Sequence, residues 1–511
     1  MSLLKLPHEL IDEILYLAAL CRDEEPKVKR SMRMRLVCKY FAEAVYPALF
    51  RTHRLDHAIH TPSDVNCYPT LRYKQNRYGV KELWHRYLVY RVTCEKDPTV
   101  GRFVEVRDLA KILCETHAAP LGYQHVIETL SRLALDNVER GPFVFWDWGP
   151  SKWNIHRPNT NILNPLIEDV TPDPRLNLLA AAVRLDMPSL VKQLLADGHD
   201  PAKYNFLFPP ALQVAAECGN EGLLRLLLEA RGTTRGSWRG GLEPGAFLGA
   251  AVAGRLDLLE LVVARAASTC PEEERDPAYV HGEVVSTREW KTHLIIHSLA
   301  ATESPEVYEY ISQNWVRHDR SRLYHHHQAF ISHAGRGNLA MARWLLETKG
   351  LNPDSQSFQY PWHTALGEAC LQGHADLVDY LLARGADPDT PRSEDQGGGG
   401  EFTPMWGAVR GNHTSLVRRL LAHGGVDLEP PRSDRLVSKA FLKENAEVVR
   451  LLVERGAPLD KVAPGVAREL VGLGCESMLD LLQSYGFQPE FDDKGEPIKY
   501  QWAVTRRKES A

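Results

Sequence analysis

The segment from Gln359 to Asp389, QYPWHTALGEACLQGHADLVDYLLARGADPD, contains the most regular pattern in the chain. Thr364 begins a short apolar segment that Gly373 ends, which predicts a first short helix. A second helix is predicted from one stripe of apolar residues with helical spacing, Leu377, Val378, Leu381 and Leu382. Gly385 then stands where a left-handed residue ends a helix. Because one such pair cannot bury its apolar stripe by itself, copies are predicted on either side.

Copies of this helix pair recur at a nearly fixed interval. The residue that ends the first helix recurs at Gly219, Gly254, Gly337, Gly373 and Gly411, with Glu444-Asn445 and Gly474 at equivalent places. The intervals include 35 residues from 219 to 254, 36 from 337 to 373 and 33 from 411 to 444. A helix–turn–helix unit with a period of about 33 residues is typical of ankyrin repeats.

Individual residues also resemble the ankyrin family. Its T-P-L-H-x-A signature appears as Thr403-Pro404-Met405-Trp406-Gly407-Ala408 and, more loosely, as Pro210-Ala211-Leu212-Gln213-Val214-Ala215, although both lack the signature histidine. The second-helix pattern recurs as LLRLLLEARG, LVRRLLAHGG and VVRLLVERGAP. The resemblance implies an all-α fold whose main part is a solenoid of about nine helix–turn–helix repeats, some degenerate, over residues 175–489. A polar tail is predicted at residues 490–511.

The same resemblance implies where a target protein would bind. Ankyrin repeats generally bind through their turn tips and through the exposed face of their first helices. At those positions lie Tyr360, Trp362 and His363 in one copy and Phe402 in the next. Trp and Tyr are favoured anchors in protein interfaces. Trp406 stands in place of the signature histidine, and stacking between repeats is its alternative role.

The first 50 residues contain two further apolar stripes with helical spacing, separated by the charged segment Cys21–Arg30. They carry the sequences LPHELIDEIL, MRLVCKYF and YPALF in that order. This arrangement resembles the F-box, a small helical module that in its family docks onto the S-phase-kinase-associated adaptor of cullin–RING ubiquitin ligases. The resemblance covers residues 1–50 and implies a set of adaptor-binding residues, Leu6, Pro7, Leu10, Ile14, Leu36, Val37, Cys38 and Phe41. A helical hairpin without a docking role is the alternative interpretation.

Residues 51–174 form a connector that is predicted to be mostly helical. An amphipathic helix is predicted over residues 80–92, and further helices are predicted at Asp108–Cys114 and Tyr123–Asp136. The segment FVEVRDL (103–109) alternates between apolar and polar residues, which favours a short strand.

Two segments are predicted to be loops. One contains Trp146, Trp148 and Trp153, which are expected to pack over a neighbouring domain, with a carbohydrate or peptide site as the alternative. The other, residues 268–290, is polar and lies between two repeats, where insertions often form part of a binding face.

Composition and charge restrict the classes of function. A net charge of −5 gives no reason to expect nucleic acid as the main partner. The sequence contains no apolar run long enough for a membrane span, and its N-terminus does not resemble a signal peptide. The 9 cysteines are scattered without a C-x-x-C pair, which suits reduced thiols in the cytoplasm or nucleus.

No motif in the sequence points to catalysis. The histidines His325-His326-His327 and the pair His293 and His297 lack the accompanying ligands of a metal site. Neither a metal, nor a cofactor, nor an enzymatic activity is therefore predicted. Three hypotheses remain: a substrate receptor of a ubiquitin ligase, an ankyrin-repeat scaffold with no ligase role, and an enzyme or small-molecule binder with a pocket around residues 140–160.

Overall fold

The chain divides into two compact units, residues 1–311 and 312–511. The computed structural model describes residues 6–20, 38–53, 55, 80–116, 122–135, 173–205, 207–231, 243–269, 294–316, 319–356, 363–390, 403–430, 432–459, 462–472, 475–491 and 497–502. Within these residues the structure is helical except for one two-stranded hairpin.

The first unit begins with a helix pair and a three-helix connector. These helices are α1 (His8–Leu20), α2 (Lys39–Arg51), α3 (Val80–Cys94), α4 (Phe103–Thr116) and α5 (Tyr123–Leu135). Helix α1 packs on α2, and α3, α4 and α5 pack on one another. The predicted strand at FVEVRDL is wrong, because this segment is the start of α4. Its buried residues are spaced as on one face of a helix, Phe103, Val106, Leu109, Ala110 and Leu113.

Antiparallel helix pairs follow in the same unit. They are α6 (Pro174–Arg184) with α7 (Pro188–Ala196), α8 (Ala211–Glu217) with α9 (Glu221–Arg231), and α10 (Pro244–Ala253) with α11 (Leu256–Thr269). Residues 294–301 are also helical, and α12 (Pro305–Trp315), of which residues 305–311 belong to this unit, follows them. The first helices α6, α8 and α10 stack in order, and the connector helices α4 and α5 pack against α6.

The second unit contains five further helix pairs and the hairpin. The pairs are α13 (Asp319–Arg336) with α14 (Leu339–Lys349), α15 (Ala365–Gln372) with α16 (Ala375–Ala383), α17 (Pro404–Gly411) with α18 (Thr414–His423), α19 (Arg432–Leu442) with α20 (Ala446–Glu454), and α21 (Ala463–Gly472) with α22 (Glu476–Ser484). The first helices α13, α15, α17, α19 and α21 pack one on the next, and each second helix packs on the first helix of its own pair.

Short polar side chains determine where many of these helices begin. The hydroxyl of Thr364 accepts a hydrogen bond from the amide of Gly367 at 3.0 Å, and the hydroxyl of Thr403 accepts one from the amide of Trp406 at 3.2 Å. Each bond satisfies a helix N-terminal amide that has no partner within its helix. Gly373 ends α15 with a φ of 89°, a left-handed conformation that glycine adopts without strain.

Hydrogen bonds also join neighbouring pairs in the second unit. The Nε2 of His374 donates to the carbonyl of Gly335 at 3.1 Å, and the Nε2 of His413 donates to the carbonyl of Leu371 at 3.2 Å. At the turns, the Nη1 of Arg432 lies 2.7 Å from the Oδ2 of Asp389. These bonds occupy polar groups that stacking removes from water, so the stack does not leave them unsatisfied.

The hairpin at the end of the second unit was not predicted. Strands β1 (Phe487–Phe491) and β2 (Pro497–Trp502) pair antiparallel, with Phe487 opposite Trp502. Strand β1 packs on α22 and β2 packs on α21. Residues 497–502 therefore do not belong to a frayed polar tail. Every second residue in the later part of β2 is apolar, namely Ile498, Tyr500 and Trp502, which is the strand period.

The stacking of first helices depends on glycine at close contacts, and we predict that Gly407→Ala destabilises the second unit. A Cβ at Gly407 would lie 2.7 Å from the carbonyl oxygen of Gly367 and 3.1 Å from the amide nitrogen of Leu371. Since both contacts are with backbone, α15 and α17 would have to separate, at a cost of about 1–3 kcal/mol. Urea-induced unfolding followed by circular dichroism measures this loss.

Gly465→Ala is the matched control for this prediction. Gly465 lies in α21 of the same unit, and a Cβ there would have no neighbour within 4 Å. This substitution should leave stability unchanged or raise it slightly, because alanine favours the helix. Equal effects of the two substitutions would show that close helix contact is not what requires glycine at Gly407.

Candidate interaction surfaces

The N-terminal helix pair has a small apolar core of its own. Its buried members come from both helices and are Ile11, Leu15, Phe41, Val45 and Ala48. Leu6, Tyr16 and Cys38 are partly buried against this core. The face of α1 that contacts α2 therefore centres on Ile11 and Leu15, with Leu6 at its edge.

A second apolar stripe on α1 faces solvent. Leu10 is 52% exposed, Ile14 is 37% exposed and Leu17 is 48% exposed. These residues are spaced four and three positions apart, so they lie on one face of the helix. Pro7 is exposed one turn before Leu10. We call Leu10, Ile14 and Leu17 the α1 stripe.

The structure brings together some of the candidate adaptor-binding residues and separates others. Leu10 and Ile14 lie in the α1 stripe, whereas Phe41 is buried and supports the helix pair from within. Leu36 and Val37 lie outside the described residues. Leu17 is absent from the candidate set, although its position three residues after Ile14 is the signal that places it on the same face.

Polar contacts fix the orientation of α1 on α2. The His8 ring lies 2.9 Å from the hydroxyl of Tyr40, and burial together with the Asp12 carboxylate raises the pKa of that hydroxyl. Arg51 pairs with Glu13 at 3.3 Å, and its guanidinium lies 4.2 Å from the ring centroid of Tyr16. These contacts join the two helices at different positions around α1, which restricts its rotation and so holds the α1 stripe in a defined direction.

An aromatic cluster joins α2 to the connector. The ring of Phe50 lies 5.2 Å from that of Tyr87 and 5.6 Å from that of Tyr90, both of which are in α3. The connector in turn contacts the first repeat-like pair, where the amide of Asn177 donates to the Oε1 of Glu105 at 2.6 Å. Within the first unit, packed side chains therefore run from α2 through α3 and α4 to α6.

In the second unit, His363 is the one member of the candidate target-binding set within the described residues. It forms an ion pair with Glu368, which is buried at the start of α15. Tyr360, Trp362 and Phe402 lie outside the described residues. Trp406 is half-buried, and the ammonium of Lys439 lies 5.9 Å from its ring centroid. Trp406 thus contacts a residue of the following pair, as its stacking role predicts.

Two features that would indicate other functions are absent from the described residues. Within the ranges given above, no three His, Cys, Asp or Glu side chains come together as metal ligands would. No helix in those ranges is both long enough and apolar enough to cross a membrane. Trp146, Trp148 and Trp153 lie outside the described part of the chain.

We predict that Phe50→Ala loosens both α2 and α3. Phe50 is buried among aromatic rings from both helices, and its truncation should cost about 3 kcal/mol. Hydrogen exchange should accelerate in residues 38–53 and in residues 80–94 together. Tyr123→Ala, which truncates an exposed aromatic side chain of α5, is the control and should accelerate neither. Acceleration limited to residues 38–53 would show that this cluster does not couple the two helices.

Comparisons with known proteins agree with the repeat pattern. A family model described as ankyrin repeats (many copies) matches residues 327–382, which run from α13 into α16. A fowlpox virus (strain NVSL) protein described as an ankyrin repeat protein is 30% identical over 129 residues, which cover 25% of this chain and 28% of the viral protein. The chain thus aligns with less than a third of that relative's length.

Ankyrin repeats in the chain are therefore supported, and the predicted resemblance to that family is confirmed for the repeats. The matched residues of the family model do not include α1 and α2, so the F-box resemblance stays a prediction. The repeats indicate a role in binding other proteins.

Proposed function

We propose that this protein is the substrate-recognition subunit of a cullin–RING ubiquitin ligase. The helix pair α1–α2 docks the S-phase-kinase-associated adaptor, and the ankyrin repeats bind a target protein. The observation that carries the proposal is the exposed α1 stripe of Leu10, Ile14 and Leu17. It lies within the residues that resemble the F-box, where a docking face is expected.

Leaving the α1 stripe in water costs free energy that a docked partner would recover. Fully burying a leucine or isoleucine side chain contributes about 1.5–3 kcal/mol, and these three are about half exposed, so covering all of them would contribute about 2–4 kcal/mol. Exposed apolar residues that occur singly need no explanation, but three on one helix face form a patch. Ile11 and Leu15 already form the α1 side of the core between α1 and α2, so the α1 stripe is not needed to hold the two helices together.

The chemistry would belong to other subunits of the ligase. This chain would supply proximity, because holding a target lysine near the activated ubiquitin converts an encounter between molecules into a reaction within one complex. The packed cluster at Phe50, Tyr87 and Tyr90 supports this role, because it gives the docking helices a fixed attachment to the connector.

We predict that Ile14→Ser weakens adaptor binding about tenfold, because it removes an aliphatic contact and places a hydroxyl in the interface, which together cost more than about 1.4 kcal/mol. Isothermal titration of the purified full chain with the adaptor measures this change. Ile112→Ser is the matched control, because Ile112 is 41% exposed on α4 against 37% for Ile14 on α1. It should leave adaptor affinity unchanged, and neither substitution should lower the melting temperature appreciably.

Two results would contradict the proposal. One is the absence of any adaptor binding by the wild-type chain, which would favour the ankyrin-repeat scaffold without a ligase role. The other is an equal loss of affinity in Ile14→Ser and Ile112→Ser, which would place the contact elsewhere than at the α1 stripe.

A further inference from the structure

Basic side chains lie on two neighbouring first helices of the second unit, α17 and α19, which pack on each other. They are Arg410 on α17, and Lys439 and Lys443 on α19 and just after it, and Trp406 is also on α17. The ammonium of Lys439 lies 5.9 Å from the ring centroid of Trp406. We call these four residues the α17–α19 patch.

The two helices that form the patch run in the same direction. Beyond the last residue of each helix, the side-chain amide of Asn445 donates to the side-chain oxygen of Asn412 at 2.9 Å. One helix end therefore lies beside the other, just as Lys439 lies beside Trp406 six residues earlier in each segment. Arg410 follows Trp406 by four residues and therefore lies on the same face of its helix, one turn later. Lys443 follows Lys439 by four residues and is placed in the same way.

The charge on these helix faces is predominantly positive. The sequence of α17, PMWGAVRG, contains Arg410 and no acidic residue. On α19, Arg435 precedes Lys439 by one turn, so Arg435, Lys439 and Lys443 form a basic row. Asp434 lies on a different face of α19 from this row.

Each of these side chains keeps part of its surface in contact with solvent. Arg410 is exposed, and Trp406, Arg435, Lys439 and Lys443 are half-buried. A half-buried tryptophan beside cationic side chains offers both an apolar anchor and charge, the combination that dominates many protein interfaces.

The charges favour an acidic peptide over a nucleic acid. Nucleic-acid binders usually neutralise many phosphates and carry a basic surface overall, whereas this chain has a net charge of −5. A local basic row in an acidic protein suits a short acidic segment, which would contact the row without meeting the rest of the surface.

We propose that the α17–α19 patch binds an acidic segment of the target protein, with carboxylates on Arg410, Lys439 and Lys443 and an apolar side chain on the Trp406 ring. This assignment deepens the proposed function, since it gives the chemical class of the segment that the receptor would recognise. Binding of the segment does not itself require the adaptor.

The test measures binding of a fluorescein-labelled, glutamate-rich peptide containing leucine to the full-length chain by fluorescence anisotropy. We expect binding that weakens as salt rises, and no binding of a lysine-rich peptide of the same length. Lys439→Glu should weaken binding at least about tenfold, because it replaces attraction by repulsion in the patch. Arg450→Glu makes the same charge change on α20, the other helix of the pair, and should leave affinity within about twofold.

Three results would overturn the assignment. They are no binding of the acidic peptide at about 1 mM, equal losses in Lys439→Glu and Arg450→Glu, or equally tight binding of single-stranded DNA that Lys439→Glu also abolishes. The last result would identify a general polyanion site. Circular dichroism confirms that each variant is folded. Because the peptide assay contains no adaptor, a negative result would overturn this assignment without bearing on the adaptor-binding test of Ile14→Ser.

Discussion

The close approach of successive first helices is the constraint on which the repeat structure depends. A helix pair of eight or nine residues per helix, such as α15 and α16, exposes an apolar stripe that only a neighbouring pair can cover. The approach is closest where glycine removes the side chain. A Cβ would lie 2.7 Å from backbone at Gly407 in the second unit and 2.6 Å from backbone at Gly249 in the first. Glycine at the contact between first helices thus permits close packing in both units.

Helix α1 obeys a different constraint, because it carries two apolar stripes and, among the described helices, packs mainly on α2. The stripe of Ile11 and Leu15 is buried against α2, and the stripe of Leu10, Ile14 and Leu17 remains in solvent. A stacked repeat can bury a surplus stripe under the next copy, whereas the N-terminal pair has a connector attached at Phe50 instead. The surplus stripe on α1 is what gives our functional proposal its physical basis.

The repeat pattern could be predicted from sequence because its signals are local and repeated. Capping threonines, left-handed glycines and apolar spacing at Thr364, Gly373 and Leu377 each agree with the same helix pair, and the structure confirms them. The secondary structure of FVEVRDL (103–109) was harder to predict, because its seven residues fit both the strand period and the helix period. The helix period became distinguishable only with Leu113 included. The hairpin at 487–502 depends on pairing between two short segments, which propensity does not specify.

For the candidate adaptor-binding residues, sequence periodicity was likewise not enough to predict which side chains are exposed. Sequence periodicity identified apolar positions on α1 but could not decide which stripe would face α2, because both have helical spacing. Leu10 and Ile14 were selected together with Phe41, yet the first two are exposed and the last is buried. The basic row on α19 was not predicted as a binding surface, for another reason. Only the fold places Trp406, on the preceding first helix, beside Lys439.

Hydrogen exchange of the full-length chain, with and without the adaptor, tests the central claim most directly. The account predicts slower exchange in α1, with the strongest effect around Leu10, Ile14 and Leu17, and unchanged exchange in α15 and α16. Unchanged exchange in α1 at a saturating adaptor concentration, or protection confined to the repeats, would contradict it.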